Sequence, residues 1–265
     1  MPEGHTIHRL ARDLGRRLVG GPVAASSPQG RFGAGAGVID GLVLERTEAH
    51  GKHLFLGFAG QRWVHVHLGL YGTVTVGPSP APPPRGAVRL RLEADGSYAD
   101  LRGPAACEVL DPGGKLLLHA RLGPDPLRRD ADPDRVWWRL SRSRAPIGTL
   151  LLDQAVVSGV GNVYRAEVLF RAGVSPFRPG RELPHLAWLD LWDDLVRLMR
   201  AGARAGRIVT TEPVDRPVRR RRPSRSESFY VYERAGLPCR RCGTLVASAE
   251  LGARRIVWCP RCQPG

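Results

Sequence analysis

Apolar residues recur along this 265-residue chain at two spacings, and the change from one to the other predicts its layout. From residue 4 to about residue 18 they recur every three or four residues, which predicts an amphipathic helix. From about residue 38 to residue 109, short alternating runs separated by glycine-rich turns predict β-strands with the spacing of a sandwich or a barrel. The predicted strands are residues 42–44, 53–56, 63–67, 73–76, 88–92 and 107–110.

Helical periodicity replaces the strand pattern in the second half of the chain. The predicted helices are residues 134–143, 147–154, 162–172 and 186–205, and we place the domain boundary near residues 123–133. Two further segments are predicted to be loops. Residues 77–86, with five prolines, should form an exposed connection, and the arginine-rich residues 212–228 a mobile loop.

The charge balance favours a polyanionic partner. Forty Lys and Arg against 25 Asp and Glu give a formal charge of +15, although a merely sticky basic surface is the alternative. Only Lys52 and Lys115 are lysines, so Lys52 is interpreted as a position where a compact ammonium contacts a phosphate or passes on a proton. Lys115 follows two glycines and is interpreted as a turn residue. Because no stretch approaches ~18 uninterrupted apolar residues, we expect no membrane helix and a cytoplasmic location.

Four of the five cysteines form a metal-binding pattern. Cys239, Cys242, Cys259 and Cys262 make two C-x2-C pairs separated by 16 residues, which matches a tetrahedral four-thiolate zinc site of structural type. The strands of its hairpin are predicted at residues 244–247 and 256–258. Arg254 and Arg255 then lie near the hairpin tip, where either contacts a phosphate or is a solvated surface arginine. Cys107 is interpreted as a reduced, buried thiol.

The first residues suggest amine chemistry. If Met1 is removed, Pro2 becomes a terminal secondary amine beside the carboxylate of Glu3. Such an amine titrates near ~8 and is far more often neutral and nucleophilic at neutral pH than a lysine. The dipole of the following helix should lower its pKa further. The alternative is that Pro2 is only an N-terminal residue.

A glycine-rich turn precedes the helix predicted at residue 162. Gly159 and Gly161 interrupt helical sequence, and Asn162 is predicted to be the N-cap of the next helix. Glycines allow close backbone approach, and exposed amides at a helix N-terminus bind oxyanions. The turn is therefore a candidate phosphate site.

Taken together, these motifs resemble the formamidopyrimidine-DNA glycosylase and endonuclease VIII family over nearly the whole chain. The matching segments are residues 1–4, 51–52, 67–72, 122–125, 153–167 and 254–263, in the family's order. The resemblance implies an α+β multidomain fold. Residues 1–125 would form a catalytic domain with an N-terminal helix and a β-sandwich, residues 130–235 a helix-two-turn-helix domain, and residues 236–265 a zinc-ribbon hairpin.

The resemblance also implies a bifunctional DNA glycosylase and lyase of base-excision repair. Pro2 would attack C1′ of a flipped nucleotide and form an imine, with Glu3 in proton transfer, and β- and δ-elimination would then cut the strand. Lys52 and Arg254 complete the implied catalytic set. The implied DNA contacts are Leu70, Tyr71, Arg102, Gly161, Asn162 and Arg254. The protein would act as a monomer on damaged double-stranded DNA, associate with the nucleoid when bound, and hold one structural zinc ion.

Two features place the chain nearer the endonuclease VIII branch, which prefers oxidised pyrimidines. Leu70 and Tyr71 match that branch's void-filling wedge, or are ordinary apolar turn residues. Pro104 stands where the other branch usually has Phe. His5 and Thr6 depart from the family's Pro-Glu and remove a second carboxylate near Pro2.

Two other functions are compatible with the basic charge and the cysteine pattern. One is a non-catalytic zinc-dependent binder of damaged DNA, and the other is an RNA-binding zinc-ribbon protein. Neither gives a role to Pro2, Glu3 and Lys52 together, so capture of an imine at the terminal amine separates them from the enzyme.

Overall fold

The computed structural model describes residues 2–218 and 222–265, which divide into two compact units, Met1–Arg121 and Leu122–Gly265. Each unit has a hydrophobic core of its own. The three-domain division given by the sequence stays a prediction. None of the helices in the described ranges is long and apolar enough to cross a membrane.

The first unit is a β-sandwich with a helix packed on it, as predicted. One antiparallel sheet has the order β1-β6-β7-β5 and the other the order β2-β3-β4-β8. The strands are β1 (Ala24–Ser26), β2 (Leu44–His50), β3 (His53–Phe58), β4 (Arg62–His67), β5 (Thr73–Pro78), β6 (Val88–Ala94), β7 (Ser97–Arg102) and β8 (Ala106–Leu110). The helices are α1 (Gly4–Leu18), α2 (Gly33–Ile39) and α3 (Pro112–Ala120).

Helix α1 forms because its apolar positions make one continuous stripe that the sandwich buries. Ile7, Ala11, Leu14 and Leu18 are all buried, and they belong to the same core as apolar residues of both sheets, such as Leu54 and Leu92. The predicted helix therefore has its predicted bounds. Its buried face fixes the chain's first residues at one edge of the sandwich core.

Strand β7 was missed by the sequence because a buried charged residue, Asp100, interrupts its apolar residues. Asp100 is 1% exposed and accepts two hydrogen bonds from Arg91, at 2.7 and 2.9 Å, and one from Arg102 at 2.8 Å. Burial raises the pKa of Asp100, but the hydrogen bonds from the two arginines outweigh it and the pKa is lowered. The ion pair thus lies on the face of the sheet opposite to Ala99 and Leu101, which belong to the sandwich core.

Helix α3 corrects the interpretation of Lys115 as a turn residue. Asp111 accepts a hydrogen bond from Gly114 N at 2.7 Å and Pro112 occupies the first turn, so capping starts a helix despite the two glycines. Lys115 lies within this helix, where its Nζ bonds Glu48 Oε2 at 2.6 Å and lies 3.3 Å from the Trp63 ring centroid. The residue is therefore structural.

The second unit begins with a helical bundle. Its helices are α4 (Pro133–Leu140), α5 (Ile147–Leu150), α6 (Asn162–Arg171) and α7 (His185–Ala205), around a core that includes Trp188, Leu195 and Met199. Three helices agree with their predicted bounds to within three residues. The helix predicted at 147–154 ends at Leu150, because the Asp153 carboxylate accepts from Ala155 N at 2.9 Å and turns the chain.

A two-stranded hairpin completes the second unit. Strands β9 (Ala247–Glu250) and β10 (Arg255–Trp258) pair antiparallel, so the first strand starts three residues later than predicted. Residues 219–221 of the predicted mobile loop lie outside the described residues. The described flanks of this loop are hydrogen-bonded, with the buried Thr211 donating to Glu227 O at 2.8 Å.

Replacing Asp100 tests the buried ion pair. We expect Asp100→Ala to lower the free energy of unfolding of the first unit by about 3–5 kcal/mol, because Arg91 is left buried without its carboxylate. Hydrogen exchange of residues 88–102 measures this locally. Asp95→Ala, at an exposed position of the β6–β7 turn, is the matched control and should change stability by less than about 0.5 kcal/mol. Equal effects would contradict the assignment.

Candidate functional site

The Pro2-Glu3 segment leads directly into α1. Glu3 is fully buried and adopts an extended conformation as the N-cap residue, with φ −117° and ψ 177°, and its carbonyl accepts from Thr6 N at 2.9 Å. Pro2 is half-buried. The positive end of the helix dipole therefore faces this segment, which disfavours a cation there and favours an anion.

His5 supplies a neutral ring one turn into the same helix. It is 5% exposed, and burial lowers its pKa to about 4, so it carries no charge at neutral pH. Its Nε2 lies 3.3 Å from the hydroxyl of Thr6. The departure from the family's Pro-Glu thus puts an uncharged polar pair where the family has a carboxylate.

Lys52 lies on a two-residue turn between β2 and β3. His50 and His53 are the last paired residues on either side, and Gly51 has φ +58°, as the first central residue of a type II′ turn does. Lys52 is half-buried. Burial lowers the pKa of His67, and the neighbouring His65 and Lys52 lower it further, so the Lys52 ammonium lies near the end of β4.

Five histidines form a cluster on this sheet that the sequence analysis did not recognise. They are His50, His53, His65, His67 and His119. His65 and His67 alternate along β4 and therefore share a face, and His53 pairs with His67 across the strands. The alternation in Trp63-Val64-His65-Val66-His67 was visible in the sequence, but the register with β3 was not.

The loop after β4 presents two large apolar side chains to solvent. Tyr71 is 86% exposed and Leu70 is 48% exposed. Gly69 has φ +68°, and a Cβ on Gly72 would lie 2.3 Å from Leu68 O, so both glycines are needed for the tight turn. Exposed apolar side chains on a rigid turn are costly for solubility and suit insertion into a partner.

Arg102 is held within the sandwich. Its guanidinium donates to Asp100, to Thr75 Oγ1 at 3.2 Å and to Arg85 O at 3.0 Å, and 28% of the side chain is exposed. The structure therefore gives this predicted DNA contact three intramolecular partners.

In the second unit, Gln154 organises the glycine-rich turn before α6. Its amide donates to Leu152 O at 2.8 Å and to Val160 O at 3.0 Å, and its Oε1 accepts from Gly159 N at 3.0 Å. Gly159 has φ +88°, which only glycine adopts readily. The Gln154 side chain thus connects the two ends of the turn by hydrogen bonds.

The helix N-cap is Gly161, and the prediction that Asn162 caps α6 is wrong. Asn162 is the first helical residue, and its side chain is used elsewhere: Nδ2 donates to Arg255 O at 3.0 Å and Oδ1 accepts from Arg165. The backbone at Gly161 is extended, with φ −122° and ψ −164°. The side chain of Asn162 joins the turn to the hairpin.

Arg165 fixes the hairpin tip relative to α6. This arginine is fully buried and donates to Gly148 O at 3.2 Å, Leu251 O at 3.3 Å and Arg255 O at 3.1 Å. Leu251 and Arg255 flank the exposed Arg254 on both sides. The structure therefore brings Gly161, Asn162 and the Arg254 tip together, beside a groove of about 480 Å³ lined by Asn162, Tyr232, Glu233, Ala235, Arg255 and Val257.

The four predicted cysteines converge at the other end of the hairpin. All four Sγ atoms lie within 4.8 Å of one another, with Cys239 to Cys262 at 3.9 Å and Cys242 to Cys259 at 3.4 Å. Tetrahedral zinc with Zn–S near 2.3 Å requires sulfurs about 3.8 Å apart. The donor set fits one zinc ion, as predicted, and four thiolates leave it no open position. Cys107 is a free, partly buried thiol in β8.

Gln263 ties the zinc site to the helical part of the second unit. Its Oε1 accepts from Cys259 N at 3.0 Å and its Nε2 donates to Val174 O at 2.8 Å, both in a fully buried setting. Zinc binding therefore stabilises the hairpin, and the tip of that hairpin carries Arg254.

Comparison with known proteins agrees with this architecture. Residues 1–107 match the formamidopyrimidine-DNA glycosylase N-terminal domain, residues 122–213 the formamidopyrimidine-DNA glycosylase H2TH domain, and residues 236–265 the zinc finger found in FPG and IleRS. The fold of Lactococcus lactis Fpg, solved with abasic-site-containing DNA, superposes with a TM-score of 0.82 at 21% identity and covers 99% of this chain and 100% of that one.

Full-length relatives are also found. Endonuclease 8 1 of Mycobacterium tuberculosis (strain ATCC 25618 / H37Rv) is 50% identical over 268 residues, covering 99% of this chain and 100% of that protein. Probable endonuclease 8 2 of Streptomyces coelicolor is 36% identical over 275 residues, covering 100% and 95%.

A helix-capped β-sandwich, a helix-two-turn-helix bundle and a four-cysteine zinc hairpin define one class of protein. The chain belongs to the formamidopyrimidine-DNA glycosylase family, and the resemblance found in its sequence is confirmed.

Removing one zinc ligand should release the metal. We expect Cys259→Ser to reduce bound zinc from about one ion per chain to a small fraction, since a three-thiolate site binds far more weakly. Zinc content by elemental analysis and hydrogen exchange of residues 247–258 measure this. Cys107→Ser, which changes the one cysteine outside the cluster, should keep the full metal content. Full zinc in the Cys259 variant would contradict the assigned ligand set.

Proposed function

We propose that this protein is a bifunctional DNA glycosylase and AP lyase of base-excision repair, acting on damaged double-stranded DNA. The observation that carries the proposal is the Pro2-Glu3 segment at the N-terminus of α1, in a chain 50% identical along its length to a protein named endonuclease 8 1. Another relative, 34% identical, is named DNA-(apurinic or apyrimidinic site) lyase Nei2.

Pro2 is the proposed nucleophile, with its nitrogen freed by removal of Met1. The amine attacks C1′ of the damaged nucleotide, the bond from C1′ to the base breaks, and an imine forms. Glu3, buried at the N-cap of α1, takes part in proton transfer at the sugar and base. The imine acidifies the 2′ hydrogen, so β- and then δ-elimination expel the flanking phosphates.

Two cations complete the proposed catalytic set. Lys52 contacts the DNA backbone from the tight β2–β3 turn and assists proton delivery, and Arg254 contacts phosphate from the hairpin tip that Arg165 anchors. A rigid turn and a rigid tip suit this task, since each holds a charge at a fixed place before the substrate arrives.

The proposed DNA contacts divide into base and phosphate contacts. Leu70 and Tyr71 fill the space left by the flipped base, consistent with their exposure on a rigid turn. Gly161 and Asn162 contact phosphate at the start of α6, and Arg102 contributes the exposed part of its side chain.

Oxidised pyrimidines are the proposed preferred substrates. This choice is supported by the endonuclease 8 names of the full-length relatives and by the Leu70-Tyr71 wedge. A cytoplasmic location, with association to the nucleoid through DNA binding, is part of the same proposal.

Pro2→Gly tests the nucleophile. We expect it to lose base excision by at least 100-fold while DNA affinity changes little, because the secondary amine is removed and the binding surfaces remain. Borohydride should trap the unmodified protein on abasic-site DNA through its first residue, identified by mass spectrometry. Pro82→Gly, in the exposed proline segment, should excise normally. Efficient excision by a chain that retains Met1, or binding without any trapping, would overturn the proposal.

A lesion panel tests the substrate class. Excision of thymine glycol and dihydrouracil from matched duplexes should be at least about tenfold faster than excision of 8-oxoguanine, if the pocket accepts pyrimidines and disfavours a bulkier base. Single-turnover rates under saturating enzyme provide the comparison. A preference for 8-oxoguanine would assign the chain to the other substrate class while leaving the lyase chemistry intact.

A further inference from the structure

The imidazoles beside Lys52 form a chain of hydrogen bonds that ends at the protein surface. His53 Nδ1 lies 2.8 Å from His65 Nε2, and His65 Nδ1 lies 2.8 Å from Glu108 Oε1. The His65 ring is almost completely buried, with 4% of its side chain exposed, whereas 52% of the Glu108 side chain is exposed. The half-buried His53 ring and the buried His65 ring are therefore connected to one exposed carboxylate.

The Glu108 carboxylate determines which atom donates in each of these hydrogen bonds. An ionised Glu108 can only accept a hydrogen bond, so His65 donates from Nδ1. In neutral His65 the Nε2 atom is then an acceptor, and it takes its hydrogen bond from Nδ1 of His53. This order leaves Nε2 of His53 as the basic atom at the inner end.

The inner end lies next to the Lys52 turn. His53 follows Lys52 directly in the chain, and its ring centroid is 4.9 Å from that of His67, the residue on which the Lys52 charge acts. His67 is also the last residue of β4 before the loop that carries Leu70 and Tyr71. The hydrogen-bonded series of His53, His65 and Glu108 thus runs from the Lys52 turn to β8, the edge strand of the sheet.

We infer that His53, His65 and Glu108 form a proton relay that exchanges protons between the Lys52 turn and solvent during the reaction. The inference rests on the proposed function for the reaction it serves. A proton that binds Nε2 of His53 releases the Nδ1 proton to Nε2 of His65, and the Nδ1 proton of His65 passes to the Glu108 carboxylate, which returns it to water. The reverse sequence delivers a proton, and only N–H and O–H bonds change.

The surroundings keep the relay uncharged between transfers. The groups that face it are Lys52 on the turn, Glu48 and His50 on β2, His67 on β4, and Lys115 and His119 on α3. Burial, together with the neighbouring histidines, lowers the pKa of His53 to about 3. His53 is therefore neutral at pH 7.

A metal site does not explain this array. Within residues 2–218 and 222–265, the four cysteines form the only group in which three or more Cys, His, Asp or Glu ligands converge on one point. The histidine nitrogens are arranged as successive donor and acceptor pairs. That is the arrangement of a hydrogen-bonded chain.

Glu108→Gln separates a relay from a structural contact. Glutamine keeps an oxygen that accepts from His65 but cannot take up the proton. We expect single-turnover strand cleavage of abasic-site DNA to slow by about tenfold at low buffer concentration. Raising the concentration of an imidazole buffer at constant ionic strength should restore the rate of the variant and leave that of the unmodified protein unchanged. Glu45→Gln removes an exposed carboxylate on β2 of the same sheet, and its rate should be normal and independent of buffer.

Each outcome decides the inference. A wild-type rate in Glu108→Gln from pH 5.5 to 8.5 overturns the relay, and so does a slower rate that no buffer restores, since that result means positioning alone. Nitrogen-detected NMR of the unmodified protein should find His53 and His65 as Nδ1–H tautomers, and the opposite tautomer in either ring also overturns it. Failure of borohydride to trap the unmodified protein refutes the proposed function instead, while the tautomers still test the relay.

Discussion

The buried guanidinium of Arg165 is the interaction on which the arrangement of the second unit depends. A fully buried cation is costly unless it is hydrogen-bonded, and here carbonyl oxygens from α5 and from both sides of the hairpin tip, together with Asn162, accept hydrogen bonds from its two terminal nitrogens. The same side chain therefore fixes three segments. Zinc and Gln263 hold the base of the hairpin, so its tip is restrained at both ends and Arg254 is presented on a rigid loop.

The sequence predicted the helices and strands whose buried apolar residues recur at one regular spacing. Helix α1 and strands β3, β4, β5, β6 and β8 were located because apolar residues alternate or recur along them. Strand β7 was missed because the buried Asp100, paired with Arg91, interrupts its apolar residues. Helix α3 was missed because Gly113 and Gly114 read as a turn, whereas the cap from Asp111 and the contacts of Lys115 decide the outcome.

In the candidate site, too, features set by local sequence were predicted, and features set by tertiary structure were not. The cysteine spacing was sufficient to predict the metal site, since four thiolates at those intervals have few other uses. The prediction that Asn162 caps α6 was wrong, because its side chain bonds residues 3 and 93 positions away and only the tertiary structure brings Arg255 to it. The histidine cluster depends on strand register in the same manner, because His53 and His65 meet only when β3 and β4 pair as they do.

Glu167, two residues after Arg165 in α6, anchors the two ends of the arginine-rich segment. Its carboxylate accepts from the backbone nitrogens of Tyr230, Val231 and Tyr232 at 2.7 to 2.8 Å and from the hydroxyl of Thr210. Thr210 and residues 230–232 therefore meet at one carboxylate, which fixes both ends of the segment between them. Doubling the length of such a segment costs only about 0.6 kcal/mol. A change in chain length between Thr210 and Tyr230 should therefore cost the fold little, as long as Glu167 keeps both ends in place.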